Sequence, residues 1–171
     1  MKKQHFLLLI IAFVYLNANA QTSWVTKKLS TNLSVKFPSE PQVSTKNGLE
    51  SYTVKEKDST AFSASSIDLE QTARLDSAAL AAMKDNQGFA DNLAKSMAAQ
   101  KKNYTFGNVT IEKWKTYTSY SMSGIDSATK NTLFVQMIFI GSKMYVLSCR
   151  VPDQLASKNK ELFFSSVELI K

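Results

Sequence analysis

The sequence predicts an α+β fold: a mainly antiparallel sheet, a helical hairpin in the middle of the chain and a C-terminal helix. Three observations carry this. Alternation of apolar and polar residues, the mark of a strand with one buried face, recurs before and after a long stretch rich in Ala, Leu, Met, Lys and Gln over residues 77–102. Leu133–Ile140 is apolar in both phases, so that strand is covered on both faces. Strands joined by tight turns at Asp58-Ser59 and Gly141-Ser142 pair antiparallel.

Taken in order, Trp24–Leu29 is a short strand. Leu33–Phe37 alternates, and Pro38-Ser39-Glu40-Pro41 stops it, because proline cannot extend a ladder. Leu49–Lys57 and Thr60–Leu69 form a hairpin. In its second strand Ala61, Ser63, Ser65 and Ile67 face one way, and Phe62, Ala64 and Ser66 the other; such small side chains predict close packing by something else. Residues 77–102 are helical by propensity, with Asp76 or Ser77 accepting a backbone N–H bond in the first turn. Leu75, Ala79, Ala82 and Met83 form one apolar stripe and Phe89, Leu93 and Met97 a second. Gly88 between them predicts two helices or one kinked helix. From Tyr104 strands resume. Val109–Ser123 alternates, with Trp114, Tyr120 and Met122 in one phase and Lys113, Lys115 and Tyr117 in the other. A loop spans Gly124–Lys130, and Leu133–Ile140 turns at Gly141-Ser142 into Met144–Val151. Pro152 leads into a final helix capped by Asp153 and running to about Phe164, with Leu155, Leu162 and Phe163 inward.

Residues 1–20 have the three parts of a cleavable secretory signal peptide. Lys2 and Lys3 provide the positive start, Phe6–Leu16 is an uninterrupted apolar run, and Ala18 and Ala20 place small side chains in the peptidase subsites, so cleavage is expected between Ala20 and Gln21. A run of that length is short against the roughly 20 residues that span hydrocarbon, which leaves no transmembrane anchor after cleavage. No cysteine stands at the cleavage point to take a lipid. Residues 21–171 then form one domain, large enough for a real core. Without Lys2 and Lys3 it carries 19 basic and 14 acidic residues, net +5, spread along the chain. The expected compartment is the periplasm or the cell exterior, and the short Met-Lys-Lys start reads as bacterial.

Export also restricts the chemistry. The only histidine, His5, leaves with the leader, which removes Ser–His and Cys–His nucleophiles and His-based zinc sites. One cysteine, Cys149, cannot build a Cys-rich metal site; its strand phase, shared with Tyr145, Leu147 and Val151, reads as that of a small core residue, with an intermolecular disulfide as the alternative. Two Ser-x-x-Lys matches, Ser127–Lys130 and Ser157–Lys160, lack the companion motifs of penicillin-binding proteins. Glu112 with Asp126, and Glu56 with Asp58, are the carboxylate pairs on which a small hydrolase would depend. Asn32, Asn103 and Asn108 fit the glycosylation pattern and are expected to stay unmodified in a bacterium. No cofactor, catalytic residue or metal ligand is predicted. The basic and aromatic residues of Lys101–Phe106 and Lys113–Tyr117 suit a glycan, peptide or lipid headgroup better than nucleic acid, given export.

Three stretches resemble the PsbP-like family, named after the extrinsic oxygen-evolving protein of photosystem II. They are the strand ending Phe37-Pro38-Ser39-Glu40-Pro41, the hairpin Leu133–Val151 with Tyr145-Val146-Leu147-Ser148-Cys149, and the C-terminal helix ending Phe163-Phe164-Ser165-Ser166-Val167. The resemblance implies an α/β/α sandwich and non-enzymatic binding or assembly work. The expectation is therefore an exported binding or assembly module of the bacterial envelope, whose partner is an envelope protein, peptide, glycan or lipid headgroup. Its contact surface is expected to include Tyr104, Trp114, Tyr117 and Tyr120, since tyrosine and tryptophan join apolar area to a hydrogen-bonding tip. A carboxylate-dependent hydrolase and a structural or envelope-stress protein without a small ligand are the alternatives.

Overall fold

The computed structural model describes residues 24–46 and 48–170; the expected leader and its cleavage point lie outside them. In chain order the elements are β1 (Val25–Lys28), β2 (Leu33–Phe37), β3 (Gln42–Lys46), β4 (Leu49–Lys55), β5 (Ala61–Asp68), α1 (Leu69–Ala73), α2 (Ser77–Met83), α3 (Gln87–Gln100), β6 (Tyr104–Phe106), β7 (Thr110–Trp114), β8 (Tyr117–Asp126), β9 (Thr132–Ile140), β10 (Lys143–Val151), α4 (Lys158–Ser165) and β11 (Glu168–Leu169). Eight strands form the main sheet in the order β3-β4-β5-β10-β9-β8-β6, with β7 also on β8; β1-β2-β11 form a small second sheet. The pairings are antiparallel. The fold class is α+β, as the patterning predicts.

The two phases of β9 explain the layers. Leu133, Val135, Met137 and Phe139 join Tyr120, Met122, Met144, Leu80 and Ala90 in a core beneath the helices that follow β5. On the opposite face Ile138, Tyr145, Leu147, Cys149, Phe62 and Val54 pack against Leu33, Val35, Phe37 and Phe163. The second covering layer is thus mixed, with α4 lying beside the small sheet. Ser166, just after α4, ties the two together: its Oγ accepts from the Lys36 N–H at 3.0 Å.

Several local features differ from the sequence-based expectation. β3 is an additional edge strand whose five residues are all exposed, so it has no buried phase to reveal it. The break between α2 and α3 falls at Lys84–Asn86 rather than at Gly88, because the Asn86 side chain accepts from the Gly88 N–H and starts α3 there. Asp76 caps α2 as expected, accepting from the Ala79 N–H at 2.8 Å, but its buried residue is Leu80, while Met83 is exposed. Val109–Ser123 is a hairpin, not one strand: Trp114 pairs with Tyr117 across Lys115-Thr116, and Lys115 takes a positive φ of 56°. Gly124 lies within β8 instead of in a loop. The Phe106 ring fills the space above it, so that a Cβ there would come 2.7 Å from Phe106 Cδ1. Finally, Pro152-Asp153 opens a turn, not a helix. Gln154 has φ 59°, α4 begins only after Ser157, and Leu155 and Leu162 are exposed, leaving Phe163 as the inward residue.

Candidate functional site

Strand register shows what the face toward α4 presents. Thr110, Ser121, Gln136 and Leu147 form one transverse row across β7, β8, β9 and β10; Glu112, Ser119, Ile138 and Tyr145 form the next. Both rows pass from polar to apolar on going inward. The small sheet and α4 cover the apolar half. Among the described residues the polar half of the first row is left as an open groove of about 400 Å³, lined by Asn108, Thr110, Ser121, Gln136, Lys160 and Phe164 among others. Lys160 Nζ stands 4.0 Å from the centroid of the Phe134 ring, a cation–π contact at the groove wall. Gln136 Oε1 is buried and, among the described residues, accepts no hydrogen bond. A buried acceptor without a donor costs about 1–3 kcal/mol, so a ligand that draws the Gln136 amide toward the groove would relieve that cost.

The other face of the β7–β8 hairpin is tied to the helices by a charged network. Thr118 Oγ1 donates to Asp85 Oδ1 at 2.7 Å, and Lys113 Nζ donates to the same carboxylate oxygen at 3.0 Å. Lys84 Nζ reaches Thr118 Oγ1 at 2.9 Å. The Thr118 hydrogen bond, then Lys113, holds the Asp85 carboxyl below the ordinary carboxylate range. Asp126 is lowered too, chiefly by the Thr129 backbone N–H, which with the Ala128 N–H donates to Oδ1 in the turn after β8. A carboxyl whose folded pKa is depressed stabilises the fold above its unfolded pKa, and that contribution is lost as pH falls through the folded value. Urea unfolding followed from about pH 6 downward should therefore show stability declining below about pH 4, and Asp126→Asn should flatten that decline.

The aromatic residues expected on one contact surface are divided among different places. Tyr120 is a core residue, fully buried, with its hydroxyl donating to the Lys84 carbonyl at 2.5 Å; its even phase along β8 points beneath the helices. Tyr104 packs with Phe106 on that same side. Trp114 and Tyr117, half-buried with centroids 6.3 Å apart, lie on the opposite face. The hairpin at Lys115-Thr116 shifts the phase and separates them.

The candidate carboxylate pairs do not come together. Glu112 lies opposite Ser119 and Asp126 opposite Tyr104, seven positions apart along β8, or about 23 Å at strand rise. Glu112 accepts from Ser121 Oγ at 3.1 Å. Glu56 accepts from Asn159 Nδ2 at 3.1 Å, whereas Asp58 accepts from the Thr60 N–H in its own turn. Cys149 is fully buried, and burial pushes its thiol up to about 12. In the Ser-x-x-Lys matches, Lys130 Nζ donates to the Ser127 carbonyl and Lys160 lies over Phe134, so neither lysine serves its serine hydroxyl. Among the described residues no group of three or more His, Cys, Asp or Glu is placed to hold a metal ion, and no helix is long and apolar enough to cross a membrane. Gln136 was the residue to notice in the sequence: it is the single polar position within Leu133–Ile140.

No family model matches the chain, and no curated protein matches it. Solved structures do. The solution structure of CyanoP, the cyanobacterial PsbP of Synechocystis, aligns with a TM-score of 0.58 and 10% identity over 90% of this chain and 96% of that one. At the level of fold, the chain resembles CyanoP. A crystal structure from Bacteroides thetaiotaomicron aligns at a TM-score of 0.44 and 13% identity over 81% of this chain, which spans 45% of that protein. A Pseudomonas aeruginosa protein of unknown function, PA94, aligns at 0.40 and 10% identity over 76% of this chain and 83% of its own. The CyanoP alignment covers nearly all of both chains, so the PsbP-like resemblance holds for the fold.

Proposed function

We propose that the chain is an exported, non-catalytic binding module of the bacterial cell envelope, and that its open polar groove beside α4 takes a glycan. The leader pattern of residues 1–20 supports export. The single observation that carries the binding site is the unpartnered Gln136 Oε1, set in a groove floored by hydroxyls and walled by Phe134 and Phe164. Sugars suit such a wall and floor, because their C–H faces lie on aromatic rings while hydroxyls and amides exchange hydrogen bonds. The engagement of Glu56, Asp58, Glu112 and Asp126 in hydrogen bonds of the fold supports a role without catalysis.

Co-sedimentation with purified bacterial sacculi tests this reading. The wild-type chain should pellet with the glycan, and Gln136→Ala or Phe164→Ala should reduce the pelleted fraction several-fold with an unchanged circular dichroism spectrum. Glu70→Ala, in the helical layer on the opposite side, should pellet like wild type. Equal pelleting by the groove variants, or none by the wild type, would refute it.

A further inference from the structure

A second cleft, of about 390 Å³, opens on the helix-facing side of the main sheet. The helical layer follows β5 at Leu69 and covers the half of the face that holds Ile67, Met144 and Phe139. The opposite end, at the start of β5 and the end of β10, is left uncovered by the described residues. Register again defines its floor. Lys55, Ala61, Arg150 and Leu133 form one row across β4, β5, β10 and β9. Behind it stand Gln42, Thr53, Ser63 and Ser148. The small side chains of Ala61 and Ser63, which in the sequence call for close packing, border this open space instead. Lys55 and Arg150 flank Ala61 two strand spacings apart, about 10 Å, and Lys101 and Tyr104 reach the cleft from beyond the end of α3.

The charges here are unbalanced. Arg150 Nε is buried without a hydrogen-bond partner, and among the described residues no carboxylate lies within ion-pair distance of its guanidinium. Asp126 senses its charge, but it lies outside the cleft's lining and beyond ion-pair distance of the guanidinium. Glu40, the one acid lining the cleft, is ion-paired with Lys27. Three cations therefore face a space with hydroxyls on its floor, and among the described residues no carboxylate lining it is free to pair with them. Arg150 is half-buried, so its guanidinium is open to an anion in the cleft, while its buried Nε lacks an acceptor that an anion's oxygen would supply.

We infer that this cleft is a binding site for a phosphomonoester group, with Arg150, Lys55 and Lys101 as its cationic clamp and Ser63 and Ser148 as hydroxyl donors. Donors arriving from the floor and from both sides match the several oxygens of a tetrahedral dianion better than a planar carboxylate. The cleft exceeds a bare phosphate in volume, which leaves room for the organic part of the ligand. The site lies on the sheet face opposite the glycan groove and does not depend on that reading.

Isothermal titration of the purified chain with inorganic phosphate and with glycerol 3-phosphate tests the inference, beside flotation with phosphatidylcholine vesicles containing or lacking phosphatidic acid. Saturable binding of the soluble phosphates is expected, weakening with added salt. Arg150→Gln should weaken it by about ten-fold or more. The exposed double variant Lys55→Ala/Lys101→Ala should weaken it several-fold and decides the matter if Arg150→Gln fails to fold. Gln136→Ala, in the other groove, should bind phosphate like wild type. Binding only to vesicles with phosphatidic acid, lost in the same variants, would support the site with a lipid headgroup as the source. No binding in any arm, or binding that the double variant leaves unchanged, would overturn it.

Discussion

Replacing Phe163 with alanine should cost about 3–5 kcal/mol, a large share of the roughly 5–15 kcal/mol that holds a domain of this kind together. The ring is fully buried and joins the two sheets: its centroid lies 5.4 Å from Phe37 on β2 and 5.1 Å from Phe62 on β5. Phe164 adds a third contact at 5.4 Å. Truncation removes the contact that holds α4 between two layers, and neighbours anchored in opposing sheets cannot collapse into the gap. Thermal unfolding should show a melting temperature lower by roughly 10 °C. Leu162→Ala, one residue earlier but exposed, should stay within about 0.5 kcal/mol of wild type. Equal effects at the two positions would mean that α4 presents a different face to the sheet.

That contrast shows where the sequence was legible. Strands with one apolar phase, such as Leu33–Phe37, and the doubly apolar Leu133–Ile140 stand close to where their patterns place them, because burial imposes period two. Leu162 and Leu155 misled for the converse reason. A leucine is free to lie exposed, and no strict period separates it from Phe163 in so short a helix. β3 was hidden because edge pairing needs only backbone, and none of its side chains is buried. Of the candidate site, the aromatic residues were readable as types but not as a surface. Their grouping depends on a hairpin at Lys115-Thr116, where neither residue is a glycine or an asparagine to announce a positive φ. Gln136 is the single polar position within Leu133–Ile140, and Arg150 is one of few in the largely apolar β10. Their interest arises only when register shows that the covering layers stop short of them.

Tyr120 provides the sharpest separation of volume from polarity. Its ring packs 4.7 Å from Phe139, and its hydroxyl donates to the carbonyl of Lys84, the residue that closes α2. The last carbonyls of a helix have no partner within it, so the phenol satisfies a group that burial would otherwise leave unpaired. Tyr120→Phe keeps the ring and should cost about 1–3 kcal/mol; Tyr120→Ala also opens a cavity and should cost about 3–5 kcal/mol. The hydroxyl's contribution is separated from the ring's by pH as well as by size, since only the hydroxyl titrates. Burial, reinforced by Asp85, pushes the Tyr120 phenol up to about 12, whereas an unfolded tyrosine ionises near 10. Above about pH 10 the unfolded chain releases a proton that the folded chain retains, so stability falls as pH rises through that window. Tyr120→Phe removes this group from the titration and should make the alkaline limb of a urea-unfolding series shallower, even though the variant is less stable at neutral pH. A limb of unchanged slope would mean that the hydroxyl titrates freely, and that the junction of α2 and α3 is not held by the bond to Lys84.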